Sequence, residues 1–353
     1  MLNRTLCLAL VFSLLISVVY SGKTSALTTQ VLPAHAYGIA AGGGLPSLSD
    51  SALASEMAGI NAMGATWIRF DFNWSQIQPT NSTTYDWFET DRVVAAAQQQ
   101  GLNVLGIIDY APSWASVGGC SNSNCAPANP RQFATFASSV ASRYKSKVSD
   151  WEIWNEENSS KFWGPSANVA IYASLLKLTY ASIKAVNPLA TVIVGGLAQV
   201  STSAQNISPS DFLQGLYAGG VGSYFDAVGD HPYTYPSTPD STNSAWNNMS
   251  IGTNSLRSIM IANGDSAKKI WITEYGAPTA GPSSSDYVNQ ADMLIQAASM
   301  YQSYSWVGPF FWYSYQDQGT ATDTSQNFFG LLNSNGSPKP AYAVFNLYAK
   351  GYL

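Results

Sequence analysis

The chain has 353 residues, 46% hydrophobic and only 10% charged, with 16 Lys and Arg against 21 Asp and Glu and a formal net charge of −5. That acidic balance argues against nucleic acids and anionic membranes as partners. The neutral polar surface implied by so few charges suits contact with uncharged ligands.

Taken in chain order, the first segment is a targeting signal rather than part of a fold. Arg4 supplies a positive start, Leu6 to Val19 form an apolar run too short to remain across a bilayer, and Thr24-Ser25-Ala26 offers a small-residue cleavage site. Residues 1–26 are therefore expected to be a removed signal peptide. A signal anchor is the alternative, because Ala34-His35-Ala36 is a second, more distant site. No later stretch approaches 18 uncharged apolar residues. Residues 27–353 are thus expected to be a secreted domain, extracellular or periplasmic, with no membrane contact once the signal is gone. Loss of Arg4 and Lys23 leaves 14 basic residues and a net charge of −7. Cys7 leaves with the signal, so Cys120 and Cys125, close together in a polar loop, are expected to form a local disulfide. A metal site is the weaker reading of that pair, since the chain has only two His and neither is near.

Beyond this point β-branched runs alternate with longer helical patterns. Strands are expected at Ala36–Ile39, Trp67–Asp71, Asn103–Tyr110, Asp150–Asn155, Thr191–Gly195, Ala227–His231, Lys269–Glu274 and Pro309–Ser314. Helices are expected at Leu48–Met63, Thr90–Gln100, Pro130–Tyr144, Asn168–Val186, Asp211–Ala218, Asn247–Ala262, Tyr287–Tyr304 and Ala341–Tyr348. Gly64, Gly101 and Gly264 follow final turns, and Asn187-Pro188 stops the fourth helix. Eight such units without an interrupting linker imply an α/β chain folded as a single-domain (β/α)8 TIM barrel. A doubly wound open sheet is the runner-up. Its phosphate turn would have to be Gly42-Gly43-Gly44, which lacks the required spacing. No organic cofactor is expected, and no metal.

Barrel active sites gather at the carboxyl ends of the strands. There the sequence places Arg69 and Asp71, Asp109 and Tyr110, Asn155 and Glu156, His231 and Tyr233, Glu274, and Trp312 and Ser314. Glu156 and Glu274 stand 118 residues apart, each closing a β-rich run. Two carboxyl groups on separate strands are what cleavage of a glycosidic bond needs: one protonates the leaving oxygen, the other attacks the anomeric carbon or activates water.

The set resembles the clan of retaining glycoside hydrolases whose catalytic glutamates end strands four and seven. Asn155-Glu156, Glu274, Arg69, His231-Pro232-Tyr233 and Trp312 match that clan's positions in order. The motifs Trp-Glu-Ile-Trp-Asn-Glu and Ile-Thr-Glu-Tyr-Gly are similar to families 39 and 5, and the choice between them stays open. The resemblance implies Glu156 as acid/base, protonated when substrate binds, and Glu274 as an ionised nucleophile. It implies Arg69 and Tyr233 as supports of Glu274, Asn155 as a ligand of the sugar 2-hydroxyl, and Trp312 as the floor beneath the sugar, with the carboxyl groups about 5–5.5 Å apart. Where many relatives carry Pro after the acid/base, this chain has Glu157, read as facing outward at a helix start or, alternatively, into the cleft.

Several bland readings compete. Arg69 could simply neutralise Asp71 or Asp109, His231 could bond behind the sugar site rather than to the sugar, and Glu152 could be a buried structural acid. Trp74, Tyr110, Trp114, Trp163, Tyr235, Tyr275 and Tyr315 follow strands, and about half should be sugar platforms rather than packing residues. Together these features point to an endo-acting hydrolase of a neutral β-linked glycan, with a carbohydrate substrate as its partner and a monomer favoured. An exo-acting β-xylosidase or β-glucosidase, a transglycosylase and a non-catalytic carbohydrate-binding protein are the alternatives.

Overall fold

Eight short β-branched and aromatic segments pair in parallel and in chain order into a closed barrel, β1 beside β8. They are β1 Tyr37–Ala40, β2 Trp67–Asn73, β3 Asn103–Asp109, β4 Asp150–Asn155, β5 Thr191–Ala198, β6 Ala227–His231, β7 Lys269–Tyr275 and β8 Val307–Tyr313. The principal helices between them are α1 Asp50–Ala62, α2 Phe88–Gln99, α3 Pro130–Tyr144, α4 Val169–Val186, α5 Pro209–Ala218, α6 Leu256–Ala262, α7 Tyr287–Ser303 and α8 Pro340–Ala349. This is the expected (β/α)8 architecture. The computed structural model describes residues 35–118 and 123–353; the expected signal 1–26, the start of the domain at residue 27, and Cys120 lie outside the described residues.

Helix starts follow from side-chain caps. Ser49, Asn129, Asn168, Ser208, Ser255 and Asp286 each accept a hydrogen bond from a backbone N–H in the first turn of the helix they precede. Each such cap contributes about 1 kcal/mol. The helix expected over Asn247–Ala262 divides into a 3-10 turn, Ala245–Met249, and α6. The reason is local: Gly252 interrupts the pattern, and Ser255 caps a new start by accepting from the Ser258 N–H. Helix α4 is 18 residues long with a mean hydropathy of 1.3, long and apolar enough by length and composition to cross a membrane. It carries Lys177 and Lys184, and its Tyr172, Leu175, Leu176 and Ile183 are buried.

Alternation along the strands sorts side chains into two cores. Phe70 and Phe72, Trp151 and Ile153, and Phe310 and Trp312 point outward into the large core shared with the helices. Ala40, Leu105, Ile193, Ala227, Trp271 and Phe311 form a small apolar plug inside the barrel, with Trp67 and Tyr313 packed on it. Above the plug the inward positions become polar: Arg69, Glu152, His231 and Thr273 are all fully buried. Gly196 makes room for this polar layer. A Cβ there would lie 1.9 Å from His231 Nε2 and 2.6 Å from Thr273 Oγ1, so any larger residue would drive the imidazole out of position.

Candidate active site

The strand ends bring most of the sequence-read residues together around one guanidinium. Arg69 donates from Nε to Glu152 Oε2 at 2.6 Å, from Nη1 to Glu274 Oε1 at 2.5 Å and from Nη2 to Asn155 Oδ1 at 2.9 Å. It neutralises Glu152 and Glu274 directly, so it is more than a partner for Asp71 or Asp109. Burial opposes its charge, and Glu152 and Glu274 outweigh that opposition. Tyr233 donates its hydroxyl to the other oxygen of Glu274 at 2.9 Å. Burial would raise the Glu274 pKa, but His231, Arg69 and the Tyr233 bond together hold it below the usual carboxylate value.

Glu156 has a different environment. Its Oε1 lies 3.0 Å from His231 Nδ1, and Glu274 Oε2 lies 3.9 Å from the same nitrogen. Thr273 donates its hydroxyl proton to Glu152 Oε1 at 2.8 Å, and His231 Nε2 stands 3.1 Å from the same hydroxyl oxygen and 3.4 Å from Arg69 Nη2, so the imidazole links the Arg69 cluster on one edge to Glu156 on the other. Burial pulls the His231 pKa down, but the Glu274 charge and the Glu156 bond leave it raised overall. Completely buried, His231 bonds to the carboxylates from behind, which is the second of the two readings of its sequence position.

Three non-glycine residues at this rim have left-handed backbones: Tyr110 at φ 57°, Trp154 at φ 73° and Glu156 at φ 52°. Such strain costs about 1–3 kcal/mol per residue and collects at functional sites. At β4 it has a visible use: Trp151, Ile153 and Trp154 all pack in the outer core, while Asn155 turns in to Arg69.

Two expectations are corrected. Trp312 does not form a floor to the site. It is fully buried in the outer core, and its Nε1 donates to the Phe329 carbonyl at 3.3 Å. The pleat places its successor, Tyr313, inside the mouth; burial, then the Glu274 charge, push the Tyr313 hydroxyl up to about 12. Glu157 faces neither solvent nor cleft but is wholly buried in the barrel wall.

Asp109 is buried beside the cluster with neither carboxyl oxygen hydrogen-bonded, and burial, then Asp71, raise its pKa well above the ordinary value. Asp71, partly exposed, is pushed up to about 6 by burial and by Glu274 and Glu152, against the pull of Arg69. Tyr110 feels Asp109, Asp71 and Glu274 and is raised chiefly by burial. Trp114 donates from Nε1 to the Gln78 carbonyl at 2.8 Å and packs edge-on to Trp74, so it serves the packing of its loop. Trp74, Trp163 and Tyr275 are also packing residues, fully buried. Thr273 escaped the sequence reading; an inward position beside Glu274 was its only signal. No group of three or more His, Cys, Asp or Glu suited to a metal occurs among the described residues.

A (β/α)8 barrel with glutamates ending its fourth and seventh strands, one held against an arginine and one facing a histidine, is the framework of a glycoside hydrolase. Residues 43–316 match the family model described as Cellulase (glycosyl hydrolase family 5), and the chain belongs to that family. No curated protein sequence matches it. Among solved structures it resembles a family 39 glycoside hydrolase from the gut symbiont Bacteroides cellulosilyticus WH2, at 25% identity and TM-score 0.72, over 89% of this chain and 63% of that one. It thus spans less than two thirds of that relative. A monomeric beta-xylosidase from Caulobacter crescentus CB15 shares 18% identity, TM-score 0.68, over 88% and 67% of the two chains. Xylanase 10B from Thermotoga petrophila RKU-1, in complex with xylobiose, shares 17%, TM-score 0.61, over 90% and 94%. The last two likenesses speak for the fold alone.

Proposed function

We propose that this glycoside hydrolase cleaves a neutral β-linked glycan with net retention, Glu274 acting as nucleophile and Glu156 as acid/base. The observation that carries this reading is the unequal treatment of two carboxyl groups around one imidazole. Glu274 receives a guanidinium and a phenol, which favour its charge, whereas Glu156 meets only the imidazole, at His231 Nδ1. Glu274 attacks the anomeric carbon while Glu156 hands its proton to the leaving oxygen; Glu156 then takes a proton from the water that releases the sugar. Both carboxyl oxygens lie within 3.9 Å of one nitrogen. That proximity suits the separation of about 5–5.5 Å in retaining enzymes better than the roughly 6.5–9.5 Å of inverting ones.

Asn155, its Oδ1 engaged by Arg69, presents its amide to the sugar 2-hydroxyl, and Tyr313 replaces Trp312 as the ring beneath the sugar. Tyr235, partly exposed and within reach of the Glu156 charge, and Tyr110 extend the aromatic lining and favour an endo-acting enzyme with several subsites. The protein is read as exported after loss of residues 1–26, monomeric, joined at Cys120–Cys125, and independent of metal or organic cofactor.

The test is to incubate the mature protein, and Glu274→Gln, with xylan, β-glucans and mannans and to size the products. A ladder of oligosaccharides from the wild type alone supports the proposal, and monosaccharide alone makes the enzyme exo-acting. Binding without release by either protein would overturn it in favour of a carbohydrate-binding protein.

Tyr233→Phe gives a finer check. Loss of a hydrogen bond to a charged carboxylate, about 1.5–3 kcal/mol, raises the Glu274 pKa by about one to two units. Activity requires ionised Glu274, so the acid limb of kcat/KM should move to higher pH by that amount. A pH profile superimposable on the wild type would show that Tyr233 does not hold the charge of Glu274.

A further inference from the structure

Glu157 is an anomaly that the reaction above does not use. Its carboxyl group is fully buried, and neither oxygen makes a hydrogen bond of normal geometry. It lies over β5 in the space a side chain on residue 195 would occupy: a Cβ on Gly195 would be 2.0 Å from Glu157 Oε2 and 2.7 Å from the Trp154 carbonyl oxygen. The Tyr172 hydroxyl of α4 closes the space, donating to the Ile153 carbonyl at 2.7 Å and accepting from the Gly195 N–H at 3.1 Å. Burial pushes its pKa well above the ordinary carboxylate value; its own backbone and the Tyr172 hydroxyl oppose that rise, and the Glu152 and Glu156 charges add to it. An unpaired carboxylate buried there would cost several kcal/mol, so the group is held as a neutral acid.

What it occupies is the inside of the turn that presents Glu156. That turn contains the left-handed Trp154 and Glu156, conformations that persist only where the surroundings fix them. On one side the Glu156 N–H donates to the Gly196 carbonyl at 3.1 Å. On the other, the Asn158 side chain bonds the Ala198 and Ile207 carbonyls at 2.9 Å each. Glu157 fills the gap between these anchors. A side chain wedged against a glycine stiffens the turn.

We infer that Glu157 is a positioning residue: its carboxyl group, seated over Gly195, holds the 154–157 turn in the shape that aims Glu156 at His231 and the scissile bond. The inference rests on the reading of Glu156 as acid/base.

The test uses leaving-group dependence, because misaiming the acid harms only substrates that need a proton. Dinitrophenyl and unsubstituted phenyl β-glycosides of the sugar released by the wild type are compared in Glu157→Ala, which empties the space, and Gly195→Ala, which expels the carboxyl group from the opposite side. General acid catalysis supplies about 10²–10⁴-fold, so a partial misalignment should cost about 30-fold in kcat/KM on the phenyl glycoside and less than about 3-fold on the dinitrophenyl one. Glu157→Gln and Glu157→Met, which keep the space filled, should stay within about 3-fold of wild type on both. Equal losses on the two substrates, or none, in either alanine variant overturn the inference, and Gly195→Ala carries the test if Glu157→Ala does not fold. Glu156→Ala is the control: if it shows no preference for the good leaving group, the acid/base reading itself fails, and Glu157 with it.

Discussion

Glu274→Ala should lower kcat by about 10⁵-fold, as removal of a covalent nucleophile does, while leaving substrate binding largely intact. The loss follows from the site's charge balance as well as from the missing attacker. Arg69 would keep its bond to Glu152 but lose the carboxylate that Nη1 now holds at 2.5 Å. That leaves an anion-sized vacancy beside a buried cation, which azide fits. With a dinitrophenyl β-glycoside, added azide should restore turnover and yield the α-glycosyl azide, because it attacks from the face Glu274 occupied. The product anomer is read by NMR, and a β-glycosyl azide would falsify the nucleophile assignment.

Glu156→Ala should behave in the opposite manner. A substrate with a poor leaving group should lose about 10³-fold in kcat/KM, the usual contribution of a general acid. A dinitrophenyl glycoside should still form the glycosyl-enzyme rapidly and then stall, visible as a burst of dinitrophenolate followed by slow turnover. Azide should accelerate this second step and give the β-glycosyl azide, attacking from the side Glu156 leaves open. Removal of Glu156 also takes away the oxygen that stands 3.0 Å from His231 Nδ1. Equal loss on both classes of substrate would place the proton donor elsewhere.

The particular residues show how far a sequence carries such an argument. Arg69, Asn155, Glu156, His231, Tyr233 and Glu274 were legible as a group, because each lies in or just after a strand whose period marks it plainly and barrels assemble their chemistry towards the carboxyl ends of their strands. Trp312 was misplaced by one residue. Its strand, Pro-Phe-Phe-Trp-Tyr, is aromatic at four consecutive positions and carries no polar alternation to reveal which face points inward. Only the pairing of Tyr313 with Ala40, and of Trp312 with Tyr275, sets that phase. Glu157 was misread for a related reason. An acid beside an exposed loop looks solvated, and nothing local announces that Gly195, 38 residues later, leaves space for it.

The sequence by itself determined the periodicity of eight β–α units and placed a carboxyl group at the end of the fourth and of the seventh strand. Those depend on spacing and residue type within short segments, where local physics dominates. Tertiary structure alone decided how five buried or half-buried carboxyl groups, Asp71, Asp109, Glu152, Glu156 and Glu274, divide one guanidinium and one imidazole among themselves. In a low-dielectric interior the charge each can hold is set by distances of 2.5–3.9 Å between strands far apart in the chain, and those distances exist only once the barrel has closed.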